Sequence, residues 1–236
     1  VEVRSEEVGG RSSGDNAAVP NAYTLTPNFP EVALYTWDDE LVGRWAANTF
    51  TITNPKLWSA EEPNCYKIVV NNGEEWVSCV FGFRVSEIRK DGRYYLNGKK
   101  IKLKGANRHE TDPMFGHFVP MWRHEQDAKM LKEANCNTVR NAHYPQDDYW
   151  YYLCDTMGIY LVDEANVESH GYGYGIESLS HCTSWRKATV DRNMAMVERN
   201  KNHPSVVIWS YGNEAGPGEN FAAARDAIKA RDLTRP

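Results

Sequence analysis

SVVIWSYGNE, residues 205–214, is the stretch of sequence that decides the fold of this chain. The segment Ser205–Ser210 is almost entirely apolar, which predicts a strand covered on both faces, as strands of parallel sheets are. The polar pair Asn213-Glu214 follows the strand, and the periodic segment Glu219–Arg231 then predicts a helix. This succession of strand, polar loop and helix is one unit of a parallel β/α fold.

Three similar units precede this one in the sequence. Strands are predicted at Ile101–Gly105, Cys136–Asn141 and Ile159–Val162, and helices at Glu125–Ala134, Gln146–Met157 and Ser184–Asn200. The alternative, a small doubly wound sheet, would carry a glycine-rich phosphate loop after its first strand, and this chain has none there. Since a complete (β/α)8 barrel takes about 250 residues, residues 85–236 predict an incomplete TIM barrel of about four β/α units.

The first part of the chain has the pattern of an all-β domain. Short strands separated by turn residues are predicted at Glu31–Tyr35, Trp45–Ile52, Tyr66–Val70 and Trp76–Phe81, with a hairpin turn at Asn71-Asn72-Gly73. Residues 1–30 are poor in apolar periodicity and predict loops or an irregular edge. Because these strands are too few for a whole sandwich, residues 1–84 predict a partial β-sandwich. The chain is therefore expected to be a multi-domain protein of the β and α/β classes.

A second hairpin is predicted between the two parts of the chain. Arg93–Leu96 and Lys100–Leu103 are its arms, and Asn97-Gly98 is its turn. Asparagine and glycine tolerate the positive φ values that a tight hairpin turn requires.

The composition narrows the classes of function. The formal net charge of −5 gives no basic surface for nucleic acid, and no apolar run approaches the length of a membrane span. The aromatic share of 12% suits a sugar-binding cleft, since ring faces pack on pyranose C–H groups, although most individual rings are expected to fill the core. Five cysteines without a C-x-x-C pair favour a reducing compartment, and so a cytoplasmic location.

Each predicted strand of the second part is followed by a cluster of polar residues. The clusters are Asn107-Arg108-His109-Glu110, Arg140-Asn141-Ala142-His143-Tyr144-Pro145, Asp163-Glu164-Ala165-Asn166-Val167-Glu168-Ser169-His170-Gly171 and Gly212-Asn213-Glu214-Ala215-Gly216. In a parallel barrel all strand ends open on the same face, where active sites assemble. A residue that caps the next helix could explain one cluster, but four would bury many ionisable groups at a cost in stability. An active site is therefore predicted at this face.

The motifs in these clusters resemble those of glycoside hydrolase family 2. The similar runs are Phe81-Gly82-Phe83-Arg84, Asn107–Glu110, His143-Tyr144-Pro145, Asp163–Asn166, Glu168–Gly171 and Gly212–Gly218. Their fuller forms resemble the large bacterial β-galactosidases of the family, and less closely its β-glucuronidases and β-mannosidases. The resemblance implies the end of an immunoglobulin-like sandwich followed by the first half of a catalytic TIM barrel. It also implies a retaining hydrolase of carbohydrate metabolism that cleaves terminal β-D-galactosides of the lactose type.

The resemblance implies roles for five residues. Glu214 matches the general acid/base, whose pKa must be raised, as an apolar strand and nearby carboxylates can do. Asn213 matches the residue that hydrogen-bonds the sugar 2-hydroxyl, and His109 and His143 match histidines that bind the sugar and stabilise its transition state. Arg140 matches an arginine that positions the nucleophile and keeps it ionised.

Each of these roles has a structural alternative. Glu214 could cap the helix that follows it, and His109 and His143 could be histidines with purely structural hydrogen bonds. Arg140 could form a salt bridge across the barrel mouth. The remaining histidines follow no motif and are predicted to be structural: His117, His124, His181 and His203.

The resemblance also implies a metal site beside the acid/base. Glu168, His170 and Glu214 match the ligands of a magnesium ion. Glu168 and His170 are two residues apart, which places both side chains on the same face of an extended segment. One imidazole and two carboxylates, with positions open to water, suit Mg²⁺ or Mn²⁺.

The retaining mechanism needs a second carboxylate about 5–5.5 Å from the first. In the family that the motifs resemble, this nucleophile lies on a later barrel strand, beyond Pro236, and Glu110, Asp163 and Glu164 do not match it. The chain is therefore expected to be inactive alone, and the intact protein to be a homo-oligomer acting on a β-galactoside. The alternatives are an inert truncated fragment that binds sugar or metal, and a family 2 β-glucuronidase or β-mannosidase.

Overall fold

The chain consists of two compact units. The computed structural model describes residues 2–4, 22–26, 31–46 and 50–236. One unit is Val1–Lys102 with Asn202–Pro204, and the other is Leu103–Lys201 with Ser205–Pro236. Within the described ranges, none of the helices has the length and apolar character needed to cross a membrane.

The first unit is built from antiparallel sheets. Its strands in chain order are β1 (Glu2–Arg4), β2 (Ala22–Thr26), β3 (Glu31–Thr36), β4 (Leu41–Trp45), β5 (Phe50–Thr53), β6 (Tyr66–Asn71), β7 (Trp76–Phe81), β8 (Ser86–Ile88), β9 (Tyr94–Leu96) and β10 (Lys99–Lys100). One sheet has the order β1-β2-β5 and a second the order β4-β3-β6-β7. Strands β10-β9-β8 form a third, small sheet.

The first two sheets share one hydrophobic core, which makes them a β-sandwich. The buried side chains of this core are Tyr23, Leu25, Val32, Leu34, Phe50, Ile52, Tyr66, Ile68, Val70, Phe81 and Phe83. In β5 and β6 buried residues alternate with more exposed ones, as expected when only one face of a sheet is covered. The predicted class of this part of the chain is confirmed.

The predicted strand Trp45–Ile52 is wrong in its extent. Strand β4 ends at Trp45 and pairs with β3, whereas β5 begins at Phe50 and pairs with β2 of the other sheet. Apolar residues recur in both strands. Their spacing along the chain does not show that β5 pairs in a different sheet from β4. Of the four residues between the two strands, 47–49 lie outside the described residues.

The prediction of loops over residues 1–30 is wrong for two segments. Strands β1 and β2 lie there and pair with each other. Tyr23 and Leu25 of β2 are fully buried, so the alternation in this short strand does reflect a covered face. The alternating pattern of β2 is only five residues long, and the glycines and prolines near it in the sequence favour loops. The described part of the chain therefore supplies the sandwich with more strands than predicted.

Both predicted hairpins are present. Strands β6 and β7 pair antiparallel from Asn71 opposite Trp76, around the predicted turn. Asn97 and Gly98 have φ values of 50° and 75° and connect β9 to β10. The second arm of this hairpin is shorter than predicted, since β10 ends at Lys100.

The second unit alternates strands and helices. Its elements are β11 (Gly105–Arg108), α1 (Met121–Glu133), β12 (Thr138–Asn141), α2 (Asp148–Met157), β13 (Tyr160–Glu164), α3 (Arg186–Asn200), β14 (Val206–Ser210) and α4 (Glu219–Arg231). The strands are all parallel and have the order β11-β12-β13-β14. The four predicted β/α units, the start of a TIM barrel, are confirmed.

The helices of this unit pack on the sheet through one hydrophobic core. Trp150 of α2, Val197 of α3 and Ile228 of α4 belong to the same buried cluster as Leu161 of β13 and Val206 of β14. All five side chains are buried almost completely. The helices thereby cover the sheet and leave its strand ends to the connecting loops.

Helix α2 has recognisable signals at both ends. The Asp147 side chain accepts a hydrogen bond of 2.8 Å from the backbone N–H of Tyr149, as an N-cap does. Gly158 has a φ of 73°, a conformation that glycine adopts without steric cost, and the helix ends there. The strand that follows therefore starts at a defined position.

The largest differences from the predicted boundaries in this unit are at the starts of β11 and α1. Strand β11 begins at Gly105 rather than Ile101, because pairing with β12 starts only where the Lys104 carbonyl accepts from Asn137 and Thr138. Helix α1 begins at Met121, directly after Pro120, and not at Glu125. Only His124 and Ala128 of this helix are buried, so its apolar stripe gave a poor indication of its start.

Gly105 allows β11 to approach β12, and we expect Gly105→Ala to destabilise the second unit by about 3 kcal/mol. A Cβ at this position would overlap the Thr138 carbonyl oxygen, a backbone atom that can move only with its strand. Chemical denaturation would measure the change. Gly171→Ala is the control, since a Cβ there meets no heavy atom within 4 Å and should change stability by less than about 0.5 kcal/mol. Equal stability of the two variants would contradict the close-approach explanation.

Candidate active site

The carboxyl ends of the four parallel strands bring the predicted site residues to one edge of the sheet. Arg140 lies in β12, Glu164 is the last residue of β13, and Asn213 follows β14. His143 follows β12 after a cis peptide bond with Ala142. Parallel strands place these positions side by side, although they are distant in sequence.

Arg140 is the centre of the hydrogen-bond network at this edge. Its Nε and Nη2 donate to Oε2 and Oε1 of Glu164, each at 2.8 Å, which is a bidentate ion pair. Nη2 also donates to Oδ1 of Asn213 at 2.8 Å, and Nη1 to Oδ1 of Asn107 at 3.4 Å. The salt bridge that was the structural alternative for Arg140 is therefore present. The same guanidinium also contacts Asn213 and Asn107, so Arg140 links its own strand to the ends of the other three.

The two predicted histidines lie together beside this network. The ring centroids of His109 and His143 are 5.0 Å apart in an edge-to-face arrangement. Nδ1 of His143 lies 2.8 Å from Oε1 of Glu164. His143 is thus held by a buried carboxylate, whereas His109 is exposed.

Glu214 follows Asn213 in a loop with unusual backbone geometry. Its φ is 40°, in the left-handed region. The preceding Gly212 has a φ of 151° and lies against the backbone of Val167, where a Cβ would overlap the carbonyl oxygen. A hydrogen bond from Asn213 N to Val167 O, 2.9 Å long, joins this loop to the one after β13. The loop after β14 and the loop after β13 are therefore fixed to each other by a backbone hydrogen bond.

The side chain of Glu214 is half exposed and hydrogen-bonded to a second predicted residue. Its Oε2 lies 2.7 Å from Nδ1 of His170. The exposed fraction of the Glu214 side chain is 51%, so the apolar strand before it does not bury the carboxyl group as expected. The loop after β14 carries Glu214 away from the apolar part of the strand.

The predicted metal ligands are close in the backbone but do not form a three-ligand cluster. A β-bridge pairs Glu168 with Asn213, the residue before Glu214. Among the residues that the structure describes, no three His, Cys, Asp or Glu side chains converge as metal ligands do. The donor types suit Mg²⁺ or Mn²⁺. Glu168 is exposed, so its side chain has room to turn towards His170 and Glu214.

Glu164 is the site residue whose contacts the sequence did not reveal. It was recognised only as a carboxylate near the mouth, yet it is fully buried and bonded to Arg140, His143 and Ser210. Successive residues of a strand point to opposite faces. Since Asp163 and Glu164 are adjacent in β13, one of the two carboxylates had to face the polar network at the strand ends.

Asp163, the other member of this pair, faces the helices. It accepts hydrogen bonds from Asn141, Tyr151 and Asn200 at 3.0, 2.6 and 2.7 Å. Complete burial raises the pKa of the Asp163 carboxyl, although these donors oppose the shift. Asp163 is thus part of the packing between sheet and helices, not of the strand-end network.

Arg108 and His124 form a separate buried group. Arg108 donates to Oδ2 of Asp127 at 2.9 Å and lies over the Trp150 ring at 4.1 Å. Its Nη2 is 3.0 Å from Nδ1 of His124. Burial, together with the Arg108 charge, lowers the pKa of His124. The buried position of His124 is compatible with the structural role predicted for it.

A parallel β/α sheet of this order, with an arginine, imidazoles and carboxylates at its strand ends, is the expected start of a (β/α) barrel, whose active sites assemble at that face. The TIM-barrel domain model of the glycosyl hydrolases family 2 matches residues 87–236, and a second model of the glycosyl hydrolases family 2 matches residues 4–84. The chain belongs to glycosyl hydrolase family 2.

Curated relatives of this chain include bacterial β-galactosidases. The chain is 43% identical over 197 residues to the β-galactosidase of Psychromonas ingrahamii, covering 81% of this chain and 19% of the relative. It is 42% identical over 203 residues to the β-galactosidase of Vibrio cholerae, covering 82% of this chain and 20% of the relative. The chain thus spans about a fifth of the length of these relatives.

Similar solved structures include β-glucuronidases. That of Ruminococcus gnavus β-glucuronidase has a TM-score of 0.79 at 26% identity, covering 92% of this chain and 40% of that one. The apo structure of Bacteroides uniformis β-glucuronidase 3 has a TM-score of 0.72 at 23% identity, covering 91% and 30%. At this lower identity the likeness concerns the fold alone.

Proposed function

We propose that the chain is the acid/base-bearing part of a retaining glycosidase that cleaves terminal β-D-galactosides. The observation that carries the proposal is the arrangement of Asn213 and Glu214 beside the network of Arg140, Glu164 and His143 at the strand ends. The identity of 42–43% with β-galactosidases supports galactose as the sugar.

Glu214 is proposed as the general acid/base. In the first step its carboxyl group donates a proton to the glycosidic oxygen as the bond to the sugar breaks, and in the second its carboxylate takes a proton from water. The hydrogen bond to His170 and the contact between the two loops hold Glu214 at the mouth. Half exposure of the side chain leaves it accessible to a substrate.

Asn213 is proposed to bind the sugar 2-hydroxyl. Since Arg140 donates to Oδ1 of Asn213, the amide is oriented and its Nδ2 remains to donate to a ligand. Hydrogen bonds to this hydroxyl strengthen in the transition state. His109 and His143, side by side at the neighbouring strand ends, are proposed to bind other sugar hydroxyls and to stabilise the positive transition state.

The nucleophile is proposed to lie outside residues 1–236. Glu164 is saturated by its donors, and Asp163 faces the helices, so neither is free to attack a sugar. Glu110 accepts from the backbone N–H of Asp147 at 2.9 Å, and burial raises its pKa, which disfavours the ionised form that a nucleophile needs. Without a second carboxylate at about 5–5.5 Å from Glu214, the chain alone should show no turnover.

A β-glucuronidase is the second candidate, which the TM-score of 0.79 favours. A uronic acid carries a carboxylate that needs a cation in the sugar pocket. The Arg140 guanidinium is already paired with Glu164, which favours a neutral sugar. The test is the rate of hydrolysis of nitrophenyl β-galactoside, β-glucuronide and β-mannoside by the full-length protein. The galactoside should have the highest kcat/KM, and a higher value for the glucuronide or the mannoside would refute the proposed specificity. No hydrolysis of any of the three would favour an inert protein.

A magnesium site is proposed at Glu168, His170 and Glu214. When bound, Mg²⁺ would supply positive charge next to the acid/base. Exchange of Glu168 for Gln removes one charged ligand, so activation by Mg²⁺ in the full-length protein should require about tenfold more metal. The measurement is activity against Mg²⁺ concentration after chelation. Glu133→Gln, at an exposed position of α1, is the control. A wild-type protein indifferent to the chelator would contradict the assignment.

A cytoplasmic location and a homo-oligomeric state are proposed for the full-length protein. The odd number of widely spaced cysteines supports the first proposal. Analytical ultracentrifugation tests the second, and a monomer at all concentrations would refute it.

A further inference from the structure

Glu164 is a fully buried carboxylate that accepts four hydrogen bonds from described side chains at the strand ends. Oε1 accepts from Arg140 Nη2 and His143 Nδ1, both at 2.8 Å. Oε2 accepts from Arg140 Nε at 2.8 Å and from Ser210 Oγ at 2.6 Å. A carboxylate has about four acceptor positions, and here all are used. The donors come from β12, from the loop after it and from β14, so this one side chain ties three segments together.

The contact with Glu164 determines where His143 carries its proton. An ionised carboxylate only accepts hydrogen bonds, so Nδ1 of His143 must be the donor. In a neutral imidazole only one ring nitrogen carries a proton, so a proton at Nδ1 of His143 leaves Nε2 as the acceptor. The His143 side chain is 21% exposed, and its Nδ1 lies 2.8 Å from a carboxylate that has no exposed surface. His143 is therefore prepared to accept a hydrogen bond at Nε2 from a hydroxyl group.

The contact with Glu164 also fixes the direction of Arg140. The bidentate pair holds the plane of the guanidinium, and its Nη2 is then directed to Oδ1 of Asn213. Arg140 in turn orients the amide of Asn213. One buried carboxylate thus determines the orientation of two proposed sugar-binding side chains, His143 and Asn213.

We propose that Glu164 is a positioning residue for glycoside hydrolysis. It touches no substrate. It holds His143 in the form protonated at Nδ1, so that Nε2 accepts from a sugar hydroxyl, and it holds Arg140 against Asn213. This inference rests on the proposed function, but its first test does not require activity.

Asp163 provides a matched control for the effect of removing a buried carboxylate. Asp163 and Glu164 are adjacent in β13 and both have no exposed surface. The donors to Asp163 are Asn141, Tyr151 and Asn200, none of which has a proposed role at the mouth. A general loss of packing should therefore affect Asp163→Asn and Glu164→Gln alike, whereas a loss of positioning should affect only Glu164→Gln.

The first test is the protonation form of His143 in the 236-residue chain. Long-range ¹⁵N–¹H NMR spectra distinguish a ring protonated at Nδ1 from one protonated at Nε2, and a His143→Gln variant assigns the signals. The wild-type chain and Asp163→Asn should show the neutral Nδ1–H form, and Glu164→Gln should lose it. A wild-type Nε2–H form, or an unchanged form in Glu164→Gln, would overturn the inference whether or not the protein is a glycosidase.

The second test is kinetic and uses the full-length protein. Glu164→Gln should lower kcat for a nitrophenyl β-galactoside about 100-fold, the effect of losing a transition-state hydrogen bond, while Asp163→Asn retains a kcat close to wild type. In a His143→Gln background the same exchange should cost less, because residues that act together have non-additive effects. Equal losses of kcat in Glu164→Gln and Asp163→Asn would show that Glu164 has only a structural role. The same conclusion would follow if the losses of kcat in Glu164→Gln and His143→Gln multiplied fully in the double variant.

A charge-conserving variant covers the case in which Glu164→Gln does not fold. Glu164→Asp keeps the negative charge but withdraws the carboxylate by one methylene, which loosens all four hydrogen bonds. It should fold and lose about tenfold in kcat, whereas a wild-type kcat would refute positioning by Glu164. If the wild-type full-length protein hydrolyses no glycoside, the proposed function fails, and the NMR result alone decides the inference about His143.

Discussion

Replacing Glu214 by Ala in the full-length protein is expected to slow hydrolysis of lactose by about 1,000-fold. The sugar leaving group of lactose departs poorly unless its oxygen is protonated, and Glu214 is the proposed donor of that proton. A nitrophenyl leaving group departs without protonation, so a nitrophenyl β-galactoside should retain more of its rate in the first step. Only the attack of water then requires the base. The measurements are kcat and KM of both proteins on both substrates.

Azide provides an independent check of the role of Glu214. Azide attacks the sugar without giving up a proton, so it should restore turnover of the activated substrate by Glu214→Ala and form a galactosyl azide. Glu219→Ala removes an exposed carboxylate from the first turn of α4 and should behave as wild type. Equal losses on both substrates without rescue by azide would instead assign Glu214 a structural role.

Replacing Trp150 by Ala is expected to reduce the free energy of unfolding of the second unit by about 3–5 kcal/mol. The Trp150 side chain has no exposed surface, and its removal leaves a large cavity between α2 and the sheet. It also removes the 3.0 Å hydrogen bond from Nε1 to Asn141 and the ring beneath the Arg108 guanidinium. Urea unfolding followed by circular dichroism would measure the loss.

Trp122→Ala is the matched control for this large change. Trp122 lies in the first turn of α1 with 53% of its surface exposed, and the Arg123 guanidinium lies over its ring. The same truncation should cost less than about 1 kcal/mol there. Similar losses for the two tryptophans would show that the cavity does not determine the effect of Trp150→Ala.

The regular parts of the fold were predictable because their periodicity matches their burial. Helix α4 has the predicted bounds, and β14 differs from the predicted strand only at its first residue. Strand β2 was missed because five residues carry too short a pattern. The extent of β11 depends on where β12 lies alongside it, and that pairing is a property of the folded sheet.

The sequence predicted which residues lie at the candidate site better than it predicted the hydrogen bonds between them. Motifs after successive strands named Arg140, His143 and Asn213, and the parallel sheet brings them together. No pattern showed that the buried carboxylate shared by two of them is Glu164. That contact depends on which face of β13 each residue occupies, which follows from the register of the strand and not from the residue type.

The φ of 40° at Glu214 has a consequence for the engineering of this protein. A residue with a Cβ adopts this conformation at a cost of about 1 kcal/mol, whereas glycine adopts it without that cost. Exchange of Glu214 for Gly should therefore raise resistance to heat while it removes the proposed proton donor. A variant library screened for thermal stability alone would enrich this exchange, which should lack activity if Glu214 is the acid/base. Selection for durability and selection for turnover are opposed at this one position, so a stability screen must be paired with an activity screen.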